Sequence, residues 1–414
     1  MLLTDIDLAS HDFFVDAFPH EAFRLLREHD PVHWQPEPPP NHGFWAITKY
    51  HDVETVIDDP ATYSSERGGV ILEEMAPDEL DARKSMMETD PPRHTRMRKI
   101  ASPLFTPRSM REYEGYCRDI ARDVLDKALA KGEFDFVLDV AKELPIRVLV
   151  RILGVPDEDT DRLIEWGDTM IGNTDPEYTS FVIDRDDTSD YRLMPFRSPA
   201  AADMMNYGHE MAEIRRADPQ NDLVTKLVHA EVDGDRLSTR DFDNFFVLLV
   251  VAGNETTRNG ISHGMQALMD NPDQLRLLQD DPSLIPSAVE EMLRWGSPTI
   301  MFRRTATRDT ELRGVKIAEG DKVVVWFASA DYDEEVFPDP FRFDVRRSPN
   351  RHFAFGAGGP HFCLGAPLAR LEMRVMFEEL LPRIASMEPA GEVSRLRSNF
   401  INGIKHMPVR VVGR

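Results

Sequence analysis

Apolar positions recur every three or four residues from about 92 to 280, the period of amphipathic helices laid on a core. The longest such run covers 241–270, and Ser238 with Asp241 ahead of it form a candidate capping box. Nearer the start the period changes to two. Val32-His33-Trp34 and residues 44–48 predict two strands around a proline-rich turn at 35–43. A second β-rich patch lies at 310–327, where 311–317 and 322–326 flank the turn 318–321. A proline-rich meander follows over 337–350, then a helix over about 366–384. There is no internal repeat and no low-complexity linker. The pattern predicts one domain over 1–414, mainly α with a smaller β region, with β-rich parts at about 30–50 and 298–330 and a helical remainder. Residues 175–199 have no period. They mix Asp184, Asp186, Asp187 and Asp190 with Phe181, Ile183, Leu193, Met194 and Phe196, which reads as a solvated loop or as a lid closing over a greasy ligand.

Composition narrows the function. The chain of 414 residues carries 73 acidic against 49 basic side chains, a net charge of −24, which argues against nucleic acid as partner. Two cysteines cannot build a disulfide framework or a multi-cysteine zinc site, so a reducing compartment fits. Residues 1–7 show no basic stretch leading into an apolar run, and no apolar run reaches the length of a membrane span. A cytoplasmic protein without a membrane span is expected.

Three constellations carry chemistry. Cys363 lies in the glycine-rich loop 355–365, immediately before a helical stretch. Such a loop can turn backbone N–H groups toward sulfur, and the helix start adds a favourable dipole, so the thiolate is suited to hold a metal from one side. The plainer reading is a buried free cysteine. Glu291 and Arg294, three residues apart, share one face of a helix whose neighbours Val289, Met292, Leu293 and Trp295 are apolar; a buried pair there needs a further polar partner. Upstream, Ala252-Gly253-Asn254-Glu255-Thr256-Thr257 brings a carboxylate and two hydroxyls into an apolar helix. Gly253 leaves room for close approach, and Thr256 can bond back to the carbonyl of Ala252 or Gly253 and bend the helix.

In this order the three resemble the cytochrome P450 family. Phe355, Gly356, Gly358, His361, Cys363 and Gly365 look like its haem-binding loop, Glu291-x-x-Arg294 like its helix-K pair, and Ala252-Gly253-x-Glu255-Thr256 like its oxygen-activating helix. The likeness runs from about His94 to the C-terminus. Two departures stand out: the loop has one residue more than the common pattern, within Gly358-Gly359-Pro360, and the acid is Glu255 where many members have Asp.

The resemblance implies a cytochrome P450 fold, haem b as cofactor and a monooxygenase that inserts one oxygen atom of O2 into a C–H bond. It matches Cys363 to the axial thiolate, and His94, Arg98, Arg304 and His361 to the propionate contacts, with Ala252, Phe355 and Gly365 also against the cofactor. Glu255 and Thr256 match the acid–alcohol pair that delivers protons. Glu291 and Arg294 match a structural network completed by a meander arginine, Arg342 or Arg347. Ile300, Met301, Phe302, Phe400 and Ile401 fall in stretches that line the family's substrate pocket.

Within the family, Ala252 to Asn259, Gly358-Gly359 and Asn402 to Lys405 are similar to actinobacterial-type enzymes that oxidise terminal carbons of steroid side chains and methyl-branched lipids. A terpenoid alcohol is the alternative substrate. The chain lacks a Rossmann fingerprint, a flavin motif and an iron–sulfur cysteine set. The resemblance therefore implies ferredoxin and ferredoxin reductase as electron donors, docking beside Arg108, Arg111, Arg370 and Arg374. Two rival classes stand beside this reading. A cysteine-nucleophile hydrolase with His361 or His352 as base leaves Glu291, Arg294, Glu255 and Thr256 idle. A haem-thiolate sensor without turnover has no need of the acid–alcohol pair.

Overall fold

The 32-residue helix Thr239–Asp270, the central helix, is the axis of the molecule. Phe245, Phe246, Val250, Ile261 and Leu268 are buried on several of its faces, as a helix enclosed by others requires. Ser238 caps it as predicted: its Oγ accepts the Asp241 N–H at 3.1 Å and donates to the Asp241 carboxylate at 2.8 Å. Around it pack Glu143–Leu153, Thr160–Ile171, Pro199–Ala217, Ile285–Gly296 and Ala366–Leu380. Close approach is needed at Gly264, where a Cβ would lie 2.8 Å from Met292 Sδ. The computed structural model describes residues 1–39, 41–232, 235–356 and 358–413. Pro40 of the predicted turn, Ala357 of the cysteine loop and Arg414 of the 1–414 domain lie outside the described residues, as do Asp233 and Gly234.

A five-stranded sheet stands beside the helices, in the spatial order Val32–Gln35, Phe44–Ile47, Lys322–Trp326, Met301–Ala306, Tyr63–Ser64. All pairs are antiparallel except Trp45–Ile47 against Val323–Val325. Residues 323–326 form an apolar run because both faces are covered. Val323 and Val325 enter one apolar cluster, while Val324 and Trp326 enter another.

Several expectations change. The strand expected over 311–317 is a hairpin, Thr310–Leu312 with Val315–Ile317, folded back at Arg313 (φ 52°) and Gly314 (φ 81°). The helix expected to 384 ends at Leu380, because Pro382 cannot continue its hydrogen bonds. The remainder outside 30–50 and 298–330 is not all helical. Ile384–Pro389, Pro408–Gly413 and Glu133–Asp135 form a second sheet, and Ser394–Arg395 pairs with Ile404–His406. Strands this short, with partners far away in the chain, leave little local period to read.

Residues 175–199 form a chain of turns with two short 3-10 segments, Ser189–Tyr191 and Pro195–Arg197. Charge ties it down at both ends. Arg397 binds Asp184 at 2.8 and 3.0 Å and also holds Asp12, while Arg197 pairs with Glu73 at 2.5 Å.

Candidate functional site

Cys363 is half-buried at the end of the glycine loop. Its N–H donates to Phe355 O at 2.8 Å, which ties Phe355 to Cys363 across the glycine turn. The turn presses on the helix Tyr50–Asp58, where a Cβ at Gly359 would meet Ile57 O at 2.5 Å. Burial pushes the Cys363 thiol up, while the Gly365 N–H and Arg98, followed by the Ala366 N–H, favour its thiolate. Both amides belong to the start of the loop helix, Ala366–Leu380, as the sequence predicts. Cys117 is buried in the helical core, where desolvation raises its pKa strongly.

Across the same cavity stand Arg98, His94, Arg304 and His361. The His94 and His361 rings lie 4.1 Å apart, and His361 Nε2 meets Ser65 Oγ at 3.3 Å. Burial holds His94 down at about 4 and His361 at about 2, and brings Arg304 to about 10. Neither Arg98 nor Arg304 has a carboxylate at ion-pair distance among the described residues, and His94 Nδ1 is buried without a partner. One buried and one half-buried arginine, with an orphaned nitrogen beside them, fit a group that brings its own carboxylates. A porphyrin with two propionates, held at Cys363, is such a group.

The central helix supplies the opposite wall. Thr256 Oγ donates to Ala252 O at 3.0 Å, the bond back that the sequence allows. Ala252, Gly253, Glu255 and Thr256 all border the cavity, and the missing side chain of Gly253 also makes room for Leu149. Glu255, 1% exposed, is clasped by Arg258, which reaches Asp168 at 2.7 Å. Burial lifts the Glu255 carboxyl well above the ordinary range; Arg258 opposes this and Asp168 adds to it. The sequence reading missed Arg258 and Asp168. It also missed Glu372, a buried acid on the loop helix bonded to Thr257, whose carboxyl burial lifts well above the usual range. An acid between Leu371 and Met373 in an apolar helix was the available signal.

Glu291 and Arg294, both 0% exposed, form two hydrogen bonds of 2.8 Å. Of the two arginines left open, Arg347 is the partner: its Nε meets Glu291 at 3.1 and 3.2 Å. Arg342 contributes only its carbonyl, which accepts from Arg347 at 2.8 Å. Asn350 and the Asp344 N–H complete the cage, each at 3.1 Å, so the buried carboxylate is satisfied on both oxygens.

The cavity is about 320 Å³. Its walls include Val70, Met75, Leu80, Val247, Phe302 and Phe400, and Ile401 closes one side. Ile300 and Met301 do not line it. Met301 points to the opposite face of its strand from Phe302, and both residues pack with Trp326 and Phe14 in the cluster behind the sheet.

The sequence profile of the cytochrome P450 family matches residues 19–393. A methyl-branched lipid omega-hydroxylase of Mycobacterium tuberculosis is 41% identical over 418 residues, covering 98% of this chain and 95% of the relative. A steroid C26-monooxygenase of Mycolicibacterium smegmatis is 38% identical over 419 residues, covering 99% and 94%. A Mycobacterium marinum cytochrome P450, solved in complex with pseudoionone, superposes with a TM-score of 0.89 at 40% identity and 98% coverage of each chain. A half-buried cysteine at a helix start, arginines across one cavity with no carboxylate partner among the described residues, and a profile match over most of the chain place it: the chain belongs to the cytochrome P450 family of haem-thiolate monooxygenases.

Proposed function

We propose that this enzyme hydroxylates the terminal carbon of a methyl-branched aliphatic chain, carried by a lipid or by a steroid side chain. The observation that carries the reading is the shape and chemistry of the cavity. It is walled by aliphatic and aromatic side chains, and it meets the central helix where Ala252 and Gly253 present almost no bulk. A slender apolar chain fits along the central helix there, with its wider end kept among Met75, Leu80 and Phe196. The two named relatives act on substrates of this class.

When bound, haem supplies the one-electron redox chemistry that activates dioxygen for insertion into a C–H bond. Cys363 would hold it through sulfur, Arg98 and Arg304 would neutralise its carboxylates, and His94 and His361 would offer them hydrogen bonds. The Thr256 hydroxyl, anchored on Ala252 O, keeps its lone pairs turned from the helix and passes protons into the cavity. Glu255 supplies them, and to do so its carboxyl swings away from Arg258, which in this structure shields it. Glu291, Arg294 and Arg347 fix the helix and meander beneath the loop.

Electrons come from a ferredoxin and its reductase, docking on the cysteine-loop face. Arg108 faces Glu112, Arg374 faces Glu114 and Glu378, and Arg370 faces Glu290, so among the described residues Arg111 supplies the uncompensated charge of this group. A cytoplasmic location suits two free cysteines. No helix among the described residues is long and apolar enough to cross a membrane.

The test is a panel of methyl-branched fatty acids, sterols with intact side chains and terpenoid alcohols. Binding is scored by the optical shift on displacement of the iron's water, and products by mass spectrometry. Terminal alcohols from the first two groups are expected. Shifts and products confined to the terpenoids, or oxidation only at ring carbons, would overturn the assignment.

A further inference from the structure

Phe355 is gripped by groups that the proposed chemistry leaves unused. The Arg370 guanidinium lies 4.4 Å from the centroid of its ring, and the His352 ring is 5.9 Å away. The carbonyl of Phe355 accepts the Cys363 N–H, so ring and sulfur belong to one rigid piece of loop. Arg370 is itself locked. Its Nε and one Nη donate to the two oxygens of Glu290, at 2.7 and 2.8 Å, and His352 Nε2 meets the same carboxylate at 3.1 Å. Glu290 stands on the helix Ile285–Gly296 and Arg370 on the loop helix, so the bridge clamps the cysteine loop between two helices. The Arg370 side chain is 39% exposed, but its planar fork and its stacking leave it one position.

A fixed cation near a thiolate has a redox consequence. Adding one electron to a haem–thiolate centre adds one negative charge, which a nearby guanidinium stabilises and a nearby carboxylate opposes. Arg370 is among the charges that favour the Cys363 thiolate.

We propose that Arg370, held on Phe355 by Glu290, is a positioning residue that sets the reduction potential of the haem at Cys363, with Glu290 as its counterweight. The proposal rests on ligation of haem by Cys363. It gives Arg370 a role distinct from docking the electron donor, because the effect exists at equilibrium without a protein partner.

The experiment is a spectroelectrochemical titration of the purified haem-loaded protein, with dithionite as electron source, dye mediators and no ferredoxin. One electron enters ferric haem, and no covalent bond forms or breaks within the protein. Arg370→Gln is expected to lower the reduction equilibrium constant about threefold or more, which is about 28 mV at 59 mV per tenfold. Glu290→Gln is expected to move it the opposite way, and Arg370→Lys to fall between wild type and Arg370→Gln. Unchanged potentials, or shifts of one sign in both neutral variants, would overturn the proposal, because a merely structural bridge fails alike from either end. If Arg370→Gln loses haem, the sign of the Glu290→Gln shift decides. The reduced carbon-monoxide spectrum separates the two readings. A wild type without the thiolate band would sink ligation by Cys363, whereas a normal band with unmoved potentials sinks only the role of Arg370.

Discussion

Thr256 and Arg347 show what single side chains do here. Thr256 donates to Ala252 O, and its methyl and hydroxyl face the cavity rather than the core. In Thr256→Ala the fold and haem content are expected to stay, since the helix keeps its own backbone bonds. Product formed per electron consumed should fall about tenfold or more, the electrons appearing as peroxide or water. Peroxide release measured beside product decides it, and full coupling would exclude the hydroxyl from proton delivery. Arg347 is read through stability instead. It meets both oxygens of a fully buried carboxylate, so Arg347→Ala leaves Glu291 short of donors and should cost about 1–3 kcal/mol. Arg342 offers only a backbone oxygen, which alanine retains, and Arg342→Ala should change stability by less than about 0.5 kcal/mol. Urea midpoints of the two variants measure the contrast.

At the scale of elements, the segment 175–199 is held by charge more than by apolar packing. Arg397 gathers Asp12 from the N-terminal stretch and Asp184 from the segment, and its own N–H donates to Asp175 at 2.9 Å. A few residues further on, Phe400 and Ile401 line the cavity, and at the other end of the segment so do Pro195 and Phe196. The segment therefore meets the cavity at its Pro195 and Phe196 end while its other end is tied to the stretch that carries Phe400 and Ile401, which favours the lid reading over a passive loop. Arg397→Ser should raise the rate of substrate association about tenfold, and raised salt should speed the wild type more than the variant. Stopped-flow optical shifts at two ionic strengths test this; equal rates would leave the segment a fixed wall. None of these ties was legible in the sequence, because they join residues more than 200 positions apart. The central helix was legible, since its period and its Ser238 cap are local. The second sheet was not, because Glu133–Asp135 is a strand only by virtue of Pro408–Gly413 lying beside it. Phe302 and Phe400 were found as cavity residues, while Ile300 and Met301 were not distinguishable from them until strand direction was known. Arg258 escaped for a similar reason, since its carboxylate Asp168 lies on another helix.

Across the whole molecule, acid stability gathers contributions from histidines folded in their neutral form. His263 on the central helix meets Asn402 O at 2.8 Å, and burial, helped by Arg395, holds it at about 3. Burial likewise holds His20 at about 3 and His11 at about 4. In the unfolded chain each titrates near 6.5, so between that value and the folded one the unfolded state binds more protons. Stability is therefore fully present above pH 6.5 and declines as pH falls toward 3–4, by up to about 1.4 kcal/mol per pH unit for each such group. This differs from the usual carboxylate-driven acid unfolding, because the decline begins above the range where carboxylates titrate. Replacing one group isolates its share. His263→Gln keeps a donor for Asn402 O but cannot bind a proton, so its stability should fall less steeply from pH 6.5 to 4, by about one proton's worth of slope. His263 is the group to replace because, unlike His94 and His361, it does not border the cavity, so haem occupancy leaves its titration alone. Urea midpoints at half-unit intervals of pH give both slopes, and parallel curves for wild type and variant would show that His263 is already charged in the folded protein.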